Sequence, residues 1–218
     1  MITAQIASLP NREDGLSIAV HSLLPQVDRI FVALNGYDKV PEFLYHHKIT
    51  YAMLDNSLGD AAKFYDIEKR KGYILTCDDD LSYPNGYALY MVSRVDKYKG
   101  IVSLLGKRYD NRPVKSFRTG YSSIYRCLTN VKKDYKVDIV GTGAMAFHAD
   151  RIKLSVADFI HPNMADIWLS KAAHEQNVPL VSLAHRARYV GHILYPWRIW
   201  SCEDNDKYHT EVLNSFLK

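Results

Sequence analysis

Short apolar segments alternate with segments of helical character through the first half of the chain, and this alternation constrains the possible folds most strongly. Runs typical of buried strands occupy residues 2–9, 29–34, 49–54, 73–77 and 101–105. Helices are predicted between them at residues 13–24, 60–70 and 85–97, the last with Pro84 in its first turn. Repeated strand–helix–strand units predict an α/β fold with a mostly parallel central sheet and helices on both faces.

The second half of the chain is less regular. Residues 107–137 carry nine Lys and Arg side chains against two Asp, which indicates a long basic loop or lid with a short helix near residues 121–128. A glycine-containing apolar segment, a helix capped by Asn163 and a last strand are predicted next, at residues 138–147, 163–176 and 180–183. No internal repeat or low-complexity linker divides the sequence, so we expect one domain over residues 1–218.

Composition narrows the classes of function. A net charge of +4 is too small to indicate nucleic-acid binding, but it suits an anionic small molecule or an anionic surface. Three distant cysteines form no metal or disulfide pattern and indicate a reducing compartment. The start of the chain has no basic leader pattern, and no apolar run reaches the roughly 18 residues of a membrane span. We therefore expect a cytoplasmic protein, not a secreted one, with at most peripheral membrane contact.

An acidic triplet, Asp78-Asp79-Asp80, directly follows the fourth predicted strand. Because ligands bind beyond the carboxyl ends of parallel strands, the triplet falls at the expected ligand-binding edge. Adjacent carboxylates repel one another, and a shared divalent cation such as Mg²⁺ or Mn²⁺ relieves that repulsion. Alternation along an extended chain predicts that Asp78 and Asp80 face one site and Asp79 the other side. A solvated acidic turn is the alternative interpretation.

Five segments occur in an order that matches one enzyme family. Residues 6–12 have the form of its first strand and nucleotide-contacting loop, and residues 56–63 of its N-x-G-x-x-x-A-[RK] segment. Residues 73–84 contain its strand and D-x-D motif, residues 141–145 its acceptor-side glycine segment, and residues 163–168 its acidic helix start. Together they resemble the GT-A-fold glycosyltransferases, especially family 2. The resemblance covers roughly residues 1–185 and implies a single GT-A, Rossmann-like domain, with a nucleotide-sugar-binding half (1–105) and an acceptor-binding half (106–218).

The resemblance implies the transfer of a sugar from a nucleotide-diphosphate sugar, with UDP-sugars favoured, to a hydroxyl of a glycan or lipid-linked glycan. It implies that Asp166 is the general base of an inverting displacement and that Asp80 binds Mn²⁺ or Mg²⁺. The donor-binding positions that it implies are Pro10, Asn11, Arg12, Asn35, Asp60, Lys63, Asp78 and Asp79. Asn35 stands where many members carry a uracil-reading acid, and Ala165 stands before Asp166 where many members carry Glu.

Histidines and aromatic residues of the second half supply further candidates. His185, after the last predicted strand, is the first choice for an additional metal ligand and His192 the second, against the commoner role of a hydrogen-bonded structural histidine. Trp168 is a candidate acceptor contact, and core packing is the alternative. Other aromatic candidates for sugar contacts are Tyr83, Trp197 and Trp200. The basic stretch at 107–137 is interpreted as a diphosphate lid and docking surface.

Two other functions stay open at this point: a catalytically inactive module that binds nucleotide sugars or glycans, and a sugar-nucleotide pyrophosphorylase. A pyrophosphorylase carries a glycine-rich loop after its first strand, where this chain has Leu9-Pro10-Asn11-Arg12. The acids Asp78, Asp80 and Asp166 favour a transferase over an inactive module. The sequence also leaves open whether the chain is one module of a larger protein.

Overall fold

The computed structural model describes residues 1–196 and 206–217, and these residues form thirteen strands. The strands are β1 (Ile2–Ser8), β2 (Arg29–Asn35), β3 (Ile49–Leu54), β4 (Tyr73–Asp78), β5 (Leu81–Ser82), β6 (Ile101–Ser103), β7 (Gly106–Arg108), β8 (Ser123–Tyr125), β9 (Tyr135–Lys136), β10 (Ile139–Val140), β11 (Ala144–His148), β12 (Leu180–Ser182) and β13 (Gly191–His192). Eight of them build a central sheet in the order β3-β2-β1-β4-β11-β6-β12-β9. Strands β11 and β9 run antiparallel to their neighbours, and the other pairs are parallel.

Four α-helices occur among the described residues: α1 (Glu13–Leu23), α2 (Tyr87–Tyr98), α3 (Ala165–Glu175) and α4 (Asp206–Phe216). Helices α1 and α2 pack on one face of the sheet, and α3 and α4 pack on the other. Alternation along β11 shows the two faces: Ala144 and Ala146 join the first core, whereas Met145 and Phe147 join the second. The predicted α/β fold, with a mostly parallel sheet and helices on both faces, is therefore confirmed.

Two predicted helices are wrong. Residues 60–70 form two 3₁₀ turns, Gly59–Phe64 and Ile67–Lys69, because Asp66 between them adopts a left-handed conformation with φ of 56°. The segment at 121–128 contains strand β8, which pairs antiparallel with β7. The paired residues are 15 to 19 positions apart, beyond the few residues over which a helical pattern is read.

Two predicted helix starts also differ from the structure. Helix α2 begins at Tyr87, three residues after Pro84, so Pro84 does not occupy its first turn. Helix α3 begins at Ala165, and Asn163 precedes it with φ of 59° and does not serve as the N-cap. The carboxylate of Asp60 accepts the Ala165 amide instead, at 3.2 Å. The start of α3 is therefore stabilised by a residue 105 positions away.

The basic stretch at 107–137 is more ordered than a loop, because most of β7 and all of β8 and β9 lie in it. Side chains of helix α4 hold residues 114–118 of this stretch by accepting hydrogen bonds from main-chain amides. Side-chain oxygens of Asp206, Thr210 and Asn214, spaced four residues apart on one helix face, accept the amides of Arg118, Phe117 and Val114 at 2.8, 2.9 and 2.8 Å. Among the described residues, no helix combines the length and apolar character that crossing a bilayer requires.

Candidate active site

The acidic triplet lies at the carboxyl end of β4, near the middle of the central sheet. Asp78 is the last residue of the strand, and Asp79 and Asp80 form a turn that leads into β5. The predicted alternation of the three side chains is wrong, because Asp79 and Asp80 are no longer extended. Both point instead to Arg12, whose Nη1 lies 3.1 Å from Asp79 Oδ1 and 3.2 Å from Asp80 Oδ2.

Arg12 is buried in the 3₁₀ turn Pro10–Arg12 that follows β1, and Tyr195 covers it with the ring centroid 4.9 Å from Cζ. The predicted donor loop thus reaches the triplet through an ion pair. Burial raises the pKa of Asp79 to about 6, and the nearby Arg12 acts against that rise. Burial and the charge of Asp78 also raise the pKa of Asp80. The two acids of the turn therefore share one guanidinium.

Lys63 forms the second cation of the site. Its Nζ donates to Asp78 Oδ1 at 2.5 Å, and its side chain is buried. Burial lowers the pKa of Lys63, but the carboxylates of Asp78, Asp60 and Asp166 outweigh burial and leave it raised. Lys63 is therefore a charged ammonium surrounded by three carboxylates that come from three separate parts of the chain.

Asp60 and Asp166 both lie at the start of α3. Burial raises the pKa of Asp60 to about 7, and the negative charges of Asp166 and Asp78 act in the same direction, against Lys63. Asp166 Oδ1 accepts hydrogen bonds from the amide and the hydroxyl of Thr142, both at 2.8 Å. Burial also raises the pKa of Asp166.

The two oxygens of Asp166 differ in their surroundings. Thr142 holds Oδ1, whereas Oδ2 accepts no hydrogen bond from the residues that the structure describes. Asp166 is thus a rigidly oriented carboxylate with one oxygen available. The charge of Asp78 also acts to raise its pKa, so Asp166 belongs to the same electrostatic cluster as the end of β4.

Gly143 and Tyr83 fix the distance between β4 and the 141–143 segment. A Cβ at Gly143 would lie 2.0 Å from Asp78 Oδ2, so the approach requires glycine. The hydroxyl of buried Tyr83 lies 2.8 Å from both the Asp78 amide and the Gly143 carbonyl, accepting from the first and donating to the second. Tyr83 therefore links the main chain of β4 to that of the 141–143 segment. It is buried and does not offer an exposed ring for contact with a sugar.

The two histidine candidates occupy different places. Both ring nitrogens of His185 face main-chain carbonyl oxygens, at 2.7 Å for Leu183 and 3.2 Å for Arg126. His192 belongs to β13, which pairs with β5 directly after the triplet, and its charge acts to lower the pKa of Asp80. The first choice, His185, is thus directed at the backbone, and the structure brings His192 to Asp80.

Two further candidates, Asn35 and Trp168, are buried and contact other parts of the protein. Buried Asn35 donates from Nδ2 to the Gly59 carbonyl at 2.9 Å and ties β2 to the 3₁₀ turn that carries Asp60 and Lys63. Trp168 is 5% exposed in the core beside α4, so the predicted acceptor contact is wrong in this arrangement. Trp197 and Trp200 lie outside the described residues. The donor roles of Pro10 and Asn11 stay predictions.

The sequence analysis did not select two residues that contact the candidate site, Thr142 and Tyr195. Thr142 orients Asp166, and its place within the glycine segment at 141–145 was the available signal. Tyr195 lies over Arg12, and its hydroxyl accepts the Gly15 amide at 2.9 Å across 180 positions. No protein-family model matches the chain, and no match is found among curated proteins.

Proposed function

We propose that this chain is a glycosyltransferase that moves a sugar from a nucleotide-diphosphate sugar to a hydroxyl of a glycan or glycoconjugate. One observation carries the proposal. A carboxylate with a free oxygen, Asp166, is oriented by Thr142 within the same charge cluster as the aspartates at the end of β4. A carboxylate base and an acidic turn that would take a cation are the two groups that a metal-dependent, inverting transfer to an alcohol uses.

A divalent cation is part of the proposal, although the described residues bring no group of three or more His, Cys, Asp or Glu side chains together as ligands. The site brings together five acidic side chains and two cationic side chains, Arg12 and Lys63, and a bound cation would reduce the repulsion among the acids that are ionised. Asp80 and His192 offer oxygen and imidazole nitrogen, which Mn²⁺ accepts together with phosphate oxygens. When bound, the cation would neutralise the charge of the departing diphosphate. We propose Asp80 and His192 as its protein ligands.

In the proposed reaction, side chains of the protein remove the acceptor proton and hold the acidic groups in position. Oδ2 of Asp166 takes the proton of the acceptor hydroxyl as that oxygen attacks the anomeric carbon. The bond from the anomeric carbon to the diphosphate breaks, and the diphosphate leaves with the bonding electrons. Attack opposite to the leaving group inverts the anomeric configuration. Thr142 holds the carboxylate in place, and Lys63 keeps Asp78 and Asp60 close without repulsion.

The proposed setting is the cytoplasm, with the peripheral membrane contact left as an expectation. Among the described residues Cys77 and Cys127 are both free thiols, as a reducing compartment favours. The mildly basic charge suits the anionic donor, and no nucleic-acid partner is proposed.

Incubation with a panel of UDP- and GDP-sugars and Mn²⁺ tests the proposal. Slow metal-dependent release of free sugar from one donor, and faster transfer when an acceptor is added, is the expected result. Tight nucleotide-sugar binding without any turnover would instead identify an inactive binding module. Formation of a nucleotide sugar from a sugar 1-phosphate and a nucleoside triphosphate would identify a pyrophosphorylase.

A further inference from the structure

An open groove of about 520 Å³ lies beside the candidate active site and takes no part in the function proposed above. Helix α2 contributes Tyr90 and Arg94 to it, the loop before β9 contributes Lys132, and the segment after β12 contributes Arg186 and Tyr189. We call these five residues the basic groove. Three cations from three separate parts of the chain thus converge on one cavity.

Acidic side chains offset only part of the positive charge of the basic groove, because among the described residues only Arg94 of its three cations pairs with an acid, Asp134 at 3.9 Å. Lys132 and Arg186 are exposed and form no ion pair with any described residue, and no acidic side chain lines the cavity in the described part of the chain. Nε of Arg94 is buried and has no hydrogen-bond partner among the same residues. Because this atom is buried, a ligand in the groove reaches it only if the Arg94 side chain shifts.

Asp134 is the acid nearest to Arg94, and it is already committed elsewhere. Its Oδ1 accepts the Ala184 amide at 2.8 Å, and its Oδ2 accepts the Tyr98 hydroxyl at 2.6 Å. The Arg94 guanidinium lies 3.9 Å from the same carboxylate, a longer and weaker contact. Asp134 and the ring of Tyr90, whose centroid lies 5.1 Å from Arg94 Cζ, therefore position Arg94 at the groove.

The basic groove and the candidate active site share a wall. Tyr189 lines the groove, and three residues later His192 pairs with Leu81, directly after Asp80. Three residues span at most about 10 Å, so the Cα atoms of Tyr189 and His192 lie within about that distance, and the groove and the acidic turn adjoin along this segment. One extended molecule can therefore occupy both places.

We propose that the basic groove binds a phosphate group carried by the acceptor, so that the substrate is a phosphorylated sugar or glycan. This inference rests on the proposed function, because it makes the groove the acceptor's anchor. Arginine forks match phosphate geometry, and three cations suit a group that carries up to two negative charges better than a carboxylate. The rings of Tyr90 and Tyr189 pack edge to face with centroids 5.9 Å apart and form an aromatic part of the groove lining, against which the adjoining sugar would pack.

Residue-resolved NMR titration of the full chain with glucose 6-phosphate tests the groove without any need for catalysis. The expected result is a saturable shift of the Ala184, Arg186 and Lys132 amides, with glucose giving none and glucuronate binding more weakly. Arg186→Gln weakens glucose 6-phosphate binding by about tenfold or more, as the loss of a charge-assisted hydrogen bond requires. Lys136→Ala, an exposed cation on β9 outside the groove, leaves the binding unchanged.

Three outcomes would overturn the inference. They are no shift of these amides, equal binding of glucose and glucose 6-phosphate, or stronger binding of glucuronate. Arg186→Lys keeps the charge and retains most of the affinity, which separates lost charge from a disturbed fold. If the amides shift while no nucleotide sugar is turned over, the groove stands and the proposed function fails. If sugar is transferred but the groove binds no phosphate, the proposed function stands alone.

Discussion

Lys63 Nζ lies 2.5 Å from Asp78 Oδ1, with the lysine side chain almost fully buried and the carboxylate 43% exposed at the edge of the sheet. Lys63→Met removes the cation and leaves Asp60 and Asp78 facing each other without it. We expect the free energy of unfolding to fall by about 2–3 kcal/mol, because breaking a partly buried ion pair strands its partners. Urea unfolding at pH 7.5 measures the change. Lys69→Met removes an exposed lysine paired with Asp66 and serves as the matched control, with stability unchanged.

Asp166→Asn tests the proposed base. Transfer should fall by about 10²–10⁴-fold, while UDP binding in the presence of Mn²⁺ stays within about twofold of the wild type. The thermal midpoint should not fall, because burial already disfavours the ionised form of Asp166. Glu175→Gln, at the other end of α3, is the control and should keep full activity. Normal transfer by Asp166→Asn would show that another group removes the proton.

Asp60 predicts a pH dependence of stability. Its pKa is raised to about 7 by burial, from about 3.9 in the unfolded chain, so the native state holds the proton more tightly. The tighter proton binding by native Asp60 adds to the free energy of unfolding. This added stability is fully present below about pH 4 and is lost as pH rises to about 7. Asp60→Asn keeps an acceptor for the Ala165 amide and removes the titration. Relative to the wild type, it should gain on the order of 2 kcal/mol between pH 5 and pH 8 in metal-free buffer. An equal difference at both pH values would contradict the raised pKa.

His192 and His185 make opposite predictions for metal binding. Mn²⁺ added with UDP should raise the thermal midpoint of the wild type, because a ligand that binds only the native state stabilises it. His192→Ala and Asp80→Asn should each lose most of that rise, whereas His185→Ala should keep it. Each shift is measured against the variant's own metal-free midpoint, since His185 contacts two carbonyl groups and its loss alone affects stability. A rise that disappears only in His185→Ala would restore the first candidate.

Asn214 should control the order of the segment that helix α4 holds. It accepts the Val114 amide and donates to the Val114 carbonyl, both at 2.8 Å. Asn214→Ala leaves both backbone groups without this partner and should cost about 1–3 kcal/mol locally. Hydrogen exchange at Val114, Phe117 and Arg118 should accelerate accordingly. Glu211→Ala, at an exposed position of the same helix, should leave these amides protected.

Periodicity and turn residues predicted the parts of the fold that depend on local sequence. Helix α1 was predicted at residues 13–24 and spans Glu13–Leu23, and the strand that ends at the triplet was predicted within one residue. The short antiparallel strands escaped prediction because their stability comes from distant partners. The pairing of β5 with β13 joins segments more than a hundred residues apart, and this pairing brings His192 to Asp80.

The candidate site shows the same division. The sequence analysis identified the aspartates at the end of β4 and Asp166 as candidate site residues. It did not predict that Lys63 and Thr142 hold these side chains in place. Those contacts depend on the approach of three chain segments, which no spacing in the sequence reveals. Arg12 was expected at the donor base, and it faces Asp79 and Asp80 because the 3₁₀ turn after β1 directs its side chain inward.

The contact between α4 and residues 114–118 also orders events during synthesis. Asn214 emerges 100 residues after Val114, which a ribosome adding about 5–20 residues per second separates by roughly 5–20 s. During that interval the sheet edge and the acidic turn can form, whereas the basic segment around Phe117 still lacks the helix that fixes it. A nascent chain would therefore be able to assemble the proposed donor side of the cleft well before the proposed acceptor side is complete.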